Sequence, residues 1–193
     1  MKRTLAMLCF TALSCPALSA RADSWPEFRG PDGDGHASSA RVPLRWSATS
    51  QIRWKIPVDG KAWSSPVVEG DRVYVTTAIV EAEDLRLEAH AYRLADGKET
   101  WKQVVFAKPA GPLHSKNSHA SPTPVLAEGR LYLHFGHEGT AALDAADGSI
   151  LWTQTDLAYA PVHGNGGSPV LHGDGLIFAC DGAKDPFVAA LHK

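Results

Sequence analysis

Nine histidines and three cysteines stand out in a chain of 193 residues, because imidazole and thiolate are the side chains that most readily hold a metal or move a proton near neutral pH. Five of the histidines, His114, His119, His134, His137 and His163, fall within one 50-residue stretch. The pair in His134-Phe-Gly-His137 is spaced i,i+3, which sets the two rings on opposite faces of a strand. It lacks the helical i,i+4 spacing of a zinc-protease pair. His119 stands just before Ser121-Pro122. His163 stands before Gly164-Asn165-Gly166-Gly167-Ser168-Pro169, a similar place in the pattern described below. His119, His163 and Asn165 are therefore the candidate ligand-binding residues; the competing reading is of histidines hydrogen-bonded for structure alone. No metal site and no catalytic residue is assigned. Asp32-Gly-Asp34-Gly has the start of a calcium loop but neither the fifth-position Asx nor the twelfth-position Glu, so it reads as a turn. Gly164-Asn-Gly-Gly167 has no Lys-Ser/Thr behind it, so it reads as a tight turn and not as a phosphate loop.

The compartment bears on this chemistry. Met1-Lys2-Arg3, the apolar run Leu5–Ser14 and the small residues Ala20 and Ala22 form the three-part pattern of a secretory leader, with cleavage expected after Ala22. The apolar run is shorter than the roughly 20 residues that span a bilayer. The rival is lipidation at Cys15, against which Ala12 stands where a Leu is usual. Removal of residues 1–22 takes Cys9 and Cys15 with it, so the exported chain keeps only Cys180 and has no internal disulfide. The expected location is the periplasm or the outside of the cell, with no transmembrane segment in the mature chain. The whole sequence is 44% hydrophobic and 21% charged with a net charge of −2. That balance, with no long basic block, excludes a nucleic-acid partner.

The elements that must position these residues form a repeat. Ser65-Pro66-Val67, a Gly70 turn and Val73-Tyr74-Val75 align with Ser121-Pro122, Gly129 and Leu131-Tyr132-Leu133. They align again with Ser168-Pro169-Val170, Gly173 and Leu176-Ile177-Phe178. Each is a hairpin signal. A second hairpin, Ala91 to Trp101 across Asp96-Gly97, aligns with Ala142 to Trp152 across Asp147-Gly148. The Ser-Pro landmarks lie 56 and 47 residues apart. The longer interval is assigned to loop insertions at 78–86 and 102–118, with Glu81–Asp84 a solvated acidic loop. Four strands per unit of about 50 residues, with no helical period, imply an all-β fold, a β-propeller of four-stranded antiparallel blades. One four-stranded sheet cannot bury both apolar faces alone, and stacking blades around an axis does so. Trp101 and Trp152 are expected to lie flat against the neighbouring blade.

Ala-x-Asp-x-x-x-Gly-x-x-x-Trp resembles the tryptophan-docking motif of PQQ-like (quinoprotein-type) β-propeller repeats. Ala142, Asp144, Gly148 and Trp152 match it throughout; Ala91, Gly97 and Trp101 match with Arg93 in place of the Asp. Trp25-Pro-Glu-Phe28-Arg-Gly30 and Gln51-Ile-Arg-Trp54-Lys-Ile-Pro57 resemble the opening of secreted members, the latter reading as an isolated outer strand. The chain is thus expected to divide into the leader at 1–22, an N-terminal extension at 23–49 and, by the resemblance, part of a propeller at 50–193. The third unit stops inside its motif, with its Gly expected at 196 and its Trp at 200. Fewer than three blades are thus present of an expected seven or eight, and the chain is expected to be the N-terminal part of a longer protein; a half-ring that closes by oligomerising is the rival. The family's dehydrogenases imply PQQ and calcium, held under a vicinal Cys-Cys and by Glu, Asn and Asp. Cys180 has no neighbouring cysteine, and no such ligand set can be assigned in this span. The function expected is a binding or scaffold module, taking a protein or small-molecule ligand at the propeller rim without catalysis of its own. The alternative is a PQQ- and calcium-dependent oxidoreductase.

Overall fold

Alternating apolar residues dominate the chain after residue 66, and in a computed structural model, which describes residues 24–37 and 42–193, they form eleven strands. The expected leader, with Cys9 and Cys15, lies outside the described residues. Strands β1 (Val67–Glu69), β2 (Arg72–Glu81), β3 (Asp84–Arg93) and β4 (Glu99–Pro109) make one antiparallel sheet in that order. Strands β5 (Val125–Ala127), β6 (Arg130–His134), β7 (Thr140–Asp144) and β8 (Ile150–Gln154) make a second. Strands β9 (Val170–His172), β10 (Gly175–Cys180) and β11 (Phe187–His192) make a third of three strands, with β11 as its open edge. These are partial propeller blades: two complete four-stranded units and one of three strands.

The two-residue period explains how the sheets stack. In the second sheet Leu131, Leu133, Ala141 and Leu143 join one buried cluster with Leu85, Leu87, Ala89 and Ala91 of the first sheet. The residues between them, Tyr132 and Ala142, join another cluster with Leu176, Phe178 and Cys180 of the third. Both faces of β5–β7 in the middle sheet are therefore dry, so these strands read as nearly continuous apolar runs, while the outer β8 stays largely exposed. At about 25 cal/mol per Å² of buried apolar area, this shared burial is the main force holding the sheets together.

The tryptophans join the same interfaces. Trp101 donates its indole N–H to the Ala145 carbonyl of the next sheet at 3.1 Å. Its ring lies over Gly148, where an added Cβ would sit 2.7 Å from the indole. Gly148 has φ +79°, a conformation that also favours glycine. Trp54 repeats the arrangement one step earlier, donating to the Leu94 carbonyl at 2.8 Å with its ring over Gly97. Residues 51–57, expected as a strand, form none; the segment is held through its indole instead of through a backbone ladder. Arg93, the departure from the motif, salt-bridges Asp96 with Nε 2.8 Å from Oδ1, while Asp144 accepts the Ala146 N–H at 2.7 Å. Both turns keep the same backbone bonds, from Gly97 to Arg93 and from Gly148 to Asp144.

One expectation is corrected. Residues 78–86 are no loop insertion: β2 and β3 run on through them, in register from Arg72↔Arg93 to Glu81↔Asp84, and turn at Ala82-Glu83. The extra length of this unit is a longer hairpin, extended on its other side by β4 to Pro109. Of the two expected insertions only 110–118 lies outside strands, in the connector that runs on to β5. The Val-Tyr-Val-Thr-Thr-Ala-Ile-Val alternation carries the strand past the point where the other repeats turn. Asp32–Gly35 is the expected turn, closed by Gly35 N–H to the Arg29 carbonyl and by His36 N–H to Asp34 Oδ1.

Candidate functional site

The connector after β4 runs toward β5 and presents His114, Ser118 and His119, while a single 3₁₀ turn, Gly136–Glu138, caps the β6–β7 hairpin. These two segments meet at Glu138. The residue is 2% exposed, yet both of its oxygens have polar partners. His119 Nδ1 lies 3.1 Å and His137 Nε2 3.2 Å from Oε1, and Lys108 Nζ lies 3.1 Å from Oε2. Burial alone would push this carboxyl upward. The hydrogen bonds from His119, His137 and Lys108 outweigh burial and hold it well below the usual carboxylate range.

The network continues into the loop before β9. His137 Nδ1 faces Asn165 Nδ2 at 3.0 Å, Asn165 Nδ2 also reaches the Phe135 carbonyl at 3.3 Å, and Tyr159 donates its hydroxyl to Asn165 Oδ1 at 2.5 Å. Because Asn165 donates to Nδ1, His137 carries its proton on Nε2, toward Glu138. Asn165 fits only because residue 136 is glycine: an added Cβ there would fall 1.6 Å from Asn165 Cγ, and Gly136 has φ +67°. The Tyr159 hydroxyl is pushed beyond the ordinary phenol range by burial, aided by Cys180, Asp181 and Glu138.

His119 spends Nδ1 on Glu138, and among the described residues its Nε2 has no protein partner. The ring lines a groove of about 660 Å³ between the end of β2 and the connector. Ile79, Val80 and Leu113 supply its apolar wall, and Lys61, His114 and Ser118 its polar one. With Nδ1 directed at Glu138, Nε2 is the ring nitrogen left to face this groove.

The sequence candidates thus separate. His119 and Asn165, 46 positions apart, belong to one hydrogen-bonded network through Glu138 and His137. His163 does not enter it: it is exposed, its ring edge-on to His114 at 4.9 Å between centroids. Its carbonyl accepts from Asn117 Nδ2 at 2.9 Å, a bond that pins the loop carrying Asn165. His134 is a core residue, paired with Thr140 Oγ1 at 2.9 Å and stacked on Phe178 at 4.0 Å; burial lowers it to about 4. Sequence reasoning missed Glu138. The only signal was a lone acid one residue after His137, in a stretch with no motif. No group of three or more His, Cys, Asp or Glu side chains among the described residues has the arrangement of a metal site, and no helix among them is long and apolar enough to cross a membrane.

A protein-family model described as outer membrane protein assembly factor BamB matches residues 80–184. No curated protein matches the chain. Among solved structures, quinohemoprotein alcohol dehydrogenase from Comamonas testosteroni aligns over 91% of this chain and 26% of its own, at 18% identity and a TM-score of 0.60. Quinohemoprotein alcohol dehydrogenase ADHIIG from Pseudomonas putida HK5 aligns over 73% of this chain and 20% of its own, at 18% identity and a TM-score of 0.53. BamB from Moraxella catarrhalis aligns over 73% and 49%, at 10% identity and a TM-score of 0.37. The chain spans about a quarter or less of the length of the dehydrogenases it matches. The two dehydrogenase alignments share its propeller fold.

Proposed function

The chain belongs to the PQQ-like repeat family whose model is described as outer membrane protein assembly factor BamB, and we propose that it is an exported binding or scaffold module that holds a protein partner in the groove beside His119. One observation carries this reading. The polar groups around Glu138 are committed to one another: both of its oxygens are taken by His119, His137 and Lys108, and His137 and Asn165 close the chain behind them. Such a network fixes the shape of a surface. What it leaves for a partner is one ring nitrogen, His119 Nε2, beside the apolar wall of Ile79, Val80 and Leu113. An apolar groove with a few fixed polar points is the usual form of a recognition site.

The family also holds dehydrogenases, and residues for PQQ and calcium have to be tested against this chain. The fit fails at two points: Cys180 is the only cysteine among the described residues and is buried, and Glu138 is already neutralised by side chains of the protein. No step through PQQ is therefore derived. Titration of the full chain with PQQ and Ca²⁺, followed by dye reduction with alcohols and sugars, tests the point. The reading expects neither saturable binding nor turnover; turnover would replace it with the oxidoreductase.

A further inference from the structure

The first strands of the three sheets are tied together ahead of their ladders by hydroxyl groups. Ser65 donates its backbone N–H to Thr123 Oγ1 at 3.0 Å, and Thr123 donates its own to Ser168 Oγ at 3.0 Å. These residues stand at or next to the three Ser-Pro landmarks of the repeat, so the relay crosses from sheet to sheet at equivalent places. The N-terminal segment lies beside it, with Trp25 bridged to Val68 and the Pro26 carbonyl accepting from Leu126 N–H. Between this segment and the three strand starts is a cavity of about 460 Å³ that shares no lining residue with the His119 groove.

Its lining is unusual in composition. Trp63 and Phe28, 49% and 52% exposed, are two large aromatic side chains lining one cavity outside the core, with Lys61 Nζ 6.0 Å from the Trp63 ring centroid. Ser65 Oγ has no hydrogen-bond partner among the described residues, and Ser168 Oγ accepts Thr123 N–H without spending its own O–H on any of them. Glu27 lines the same cavity, half-buried, with no cation paired to it among the described residues. Burial pushes its carboxyl upward. Gly166 and Gly167 keep the floor open: an added Cβ at either meets nothing within 4 Å.

We propose that this cavity is a second binding site and that it takes a saccharide. A pyranose ring has an apolar C–H face, which an exposed indole or phenyl ring covers, and an equatorial edge of hydroxyls that both donate and accept. Trp63 and Phe28 supply the first; Ser65, Ser168 and Glu27 supply the second, with acceptor and donor capacity still unspent. A wholly apolar ligand would bury those hydroxyls unpaired, which costs free energy. Arg29 also lines the cavity and, with one N–H on the Asp34 carbonyl at 3.3 Å, keeps further donors for ligand hydroxyls.

The test is binding of the full chain to an array of neutral oligosaccharides, with the best binder then followed by tryptophan fluorescence. The result expected is saturable binding of at least one oligosaccharide, weakened tenfold or more in Trp63→Ala and at least severalfold in Glu27→Gln. Lys184→Ala, exposed and outside both the cavity and the His119 groove, is expected to leave it unchanged. Trp63 is exposed enough that its removal leaves the core intact, and circular dichroism of the variant checks this. Two results would overturn the proposal: no oligosaccharide binding by the folded wild-type chain, or binding that Trp63→Ala leaves unaltered. Neither touches the groove at His119, whose partner is read by a separate experiment.

Discussion

Glu138 and His134 show two ways in which a buried titratable side chain is made tolerable. Glu138 keeps its charge by recruiting three donors; His134 avoids charge by staying neutral against Phe178 and Thr140. Their linkage to stability runs in the same direction. The folded state resists protonating His134 until about pH 4, whereas the unfolded chain takes that proton near 6.5. Stability is therefore expected to fall by about 3 kcal/mol as pH drops through that window. Urea unfolding of His134→Leu should lack this slope; an unchanged slope would contradict the account. Glu138 acts lower down. Its folded value is depressed, so its contribution is complete above the unfolded value of 4.5 and is lost as pH falls further. Removing the carboxylate leaves His119, His137 and Lys108 without their common partner. Glu138→Ala is therefore expected to cost about 3 kcal/mol at pH 7, read from the shift in urea midpoint. A loss below about 1 kcal/mol, the scale of a surface ion pair, would show that the network does not hold the two segments together.

At the scale of elements, the docked tryptophans and one strained turn matter most. Gly148→Ala would bring a Cβ to 2.7 Å from the Trp101 ring at a backbone of φ +79°. It is expected to destabilise by roughly 2–4 kcal/mol, while Gly70→Ala, with φ +61° but open space around it, should cost only about 1 kcal/mol. Ala82 turns the β2–β3 hairpin at φ +55°. Ala82→Gly should stabilise by about 1 kcal/mol, since only the left-handed strain is removed. Thermal unfolding of the three variants orders these effects; equal losses for Gly148→Ala and Gly70→Ala would deny the indole its role. The tryptophan turns were legible in the sequence because Ala, Gly and Trp are each dictated locally, by a close approach, a positive φ and an indole in a fixed slot. The long hairpin was not. Alignment to shorter repeats placed a loop at Glu81–Asp84, but strand pairing continues wherever partners remain in register, and nothing in β2 or β3 stops it before Ala82. The candidate site was half legible for a similar reason. His119 and Asn165 stand at repeat landmarks, whereas Glu138 earns its place only through three-dimensional neighbours from β4 and the connector.

The whole molecule is a stack in which burial is uneven. The first two sheets share a large continuous cluster, from Val67 and Leu85 to Leu143, while the third shares a smaller one and ends on the open edge β11, where Val188 is 71% exposed. Amide hydrogen exchange should therefore be slowest in β2, β3, β6 and β7 and faster in β9–β11; uniform protection would contradict this picture. Against that stack the groove at His119 is built between a strand end and a connector, the latter fixed from behind by Glu138 through His119. This is the arrangement that the proposed binding module requires. The most direct measurement is photo-crosslinking in the source cell, with benzoylphenylalanine placed at Leu113, at Val80 and, outside the groove, at Lys184. The account expects one discrete protein adduct from the two groove positions, none from Lys184, and loss of the adduct when His119 is replaced by alanine. No adduct from the groove, or the same adduct from Lys184, would contradict it.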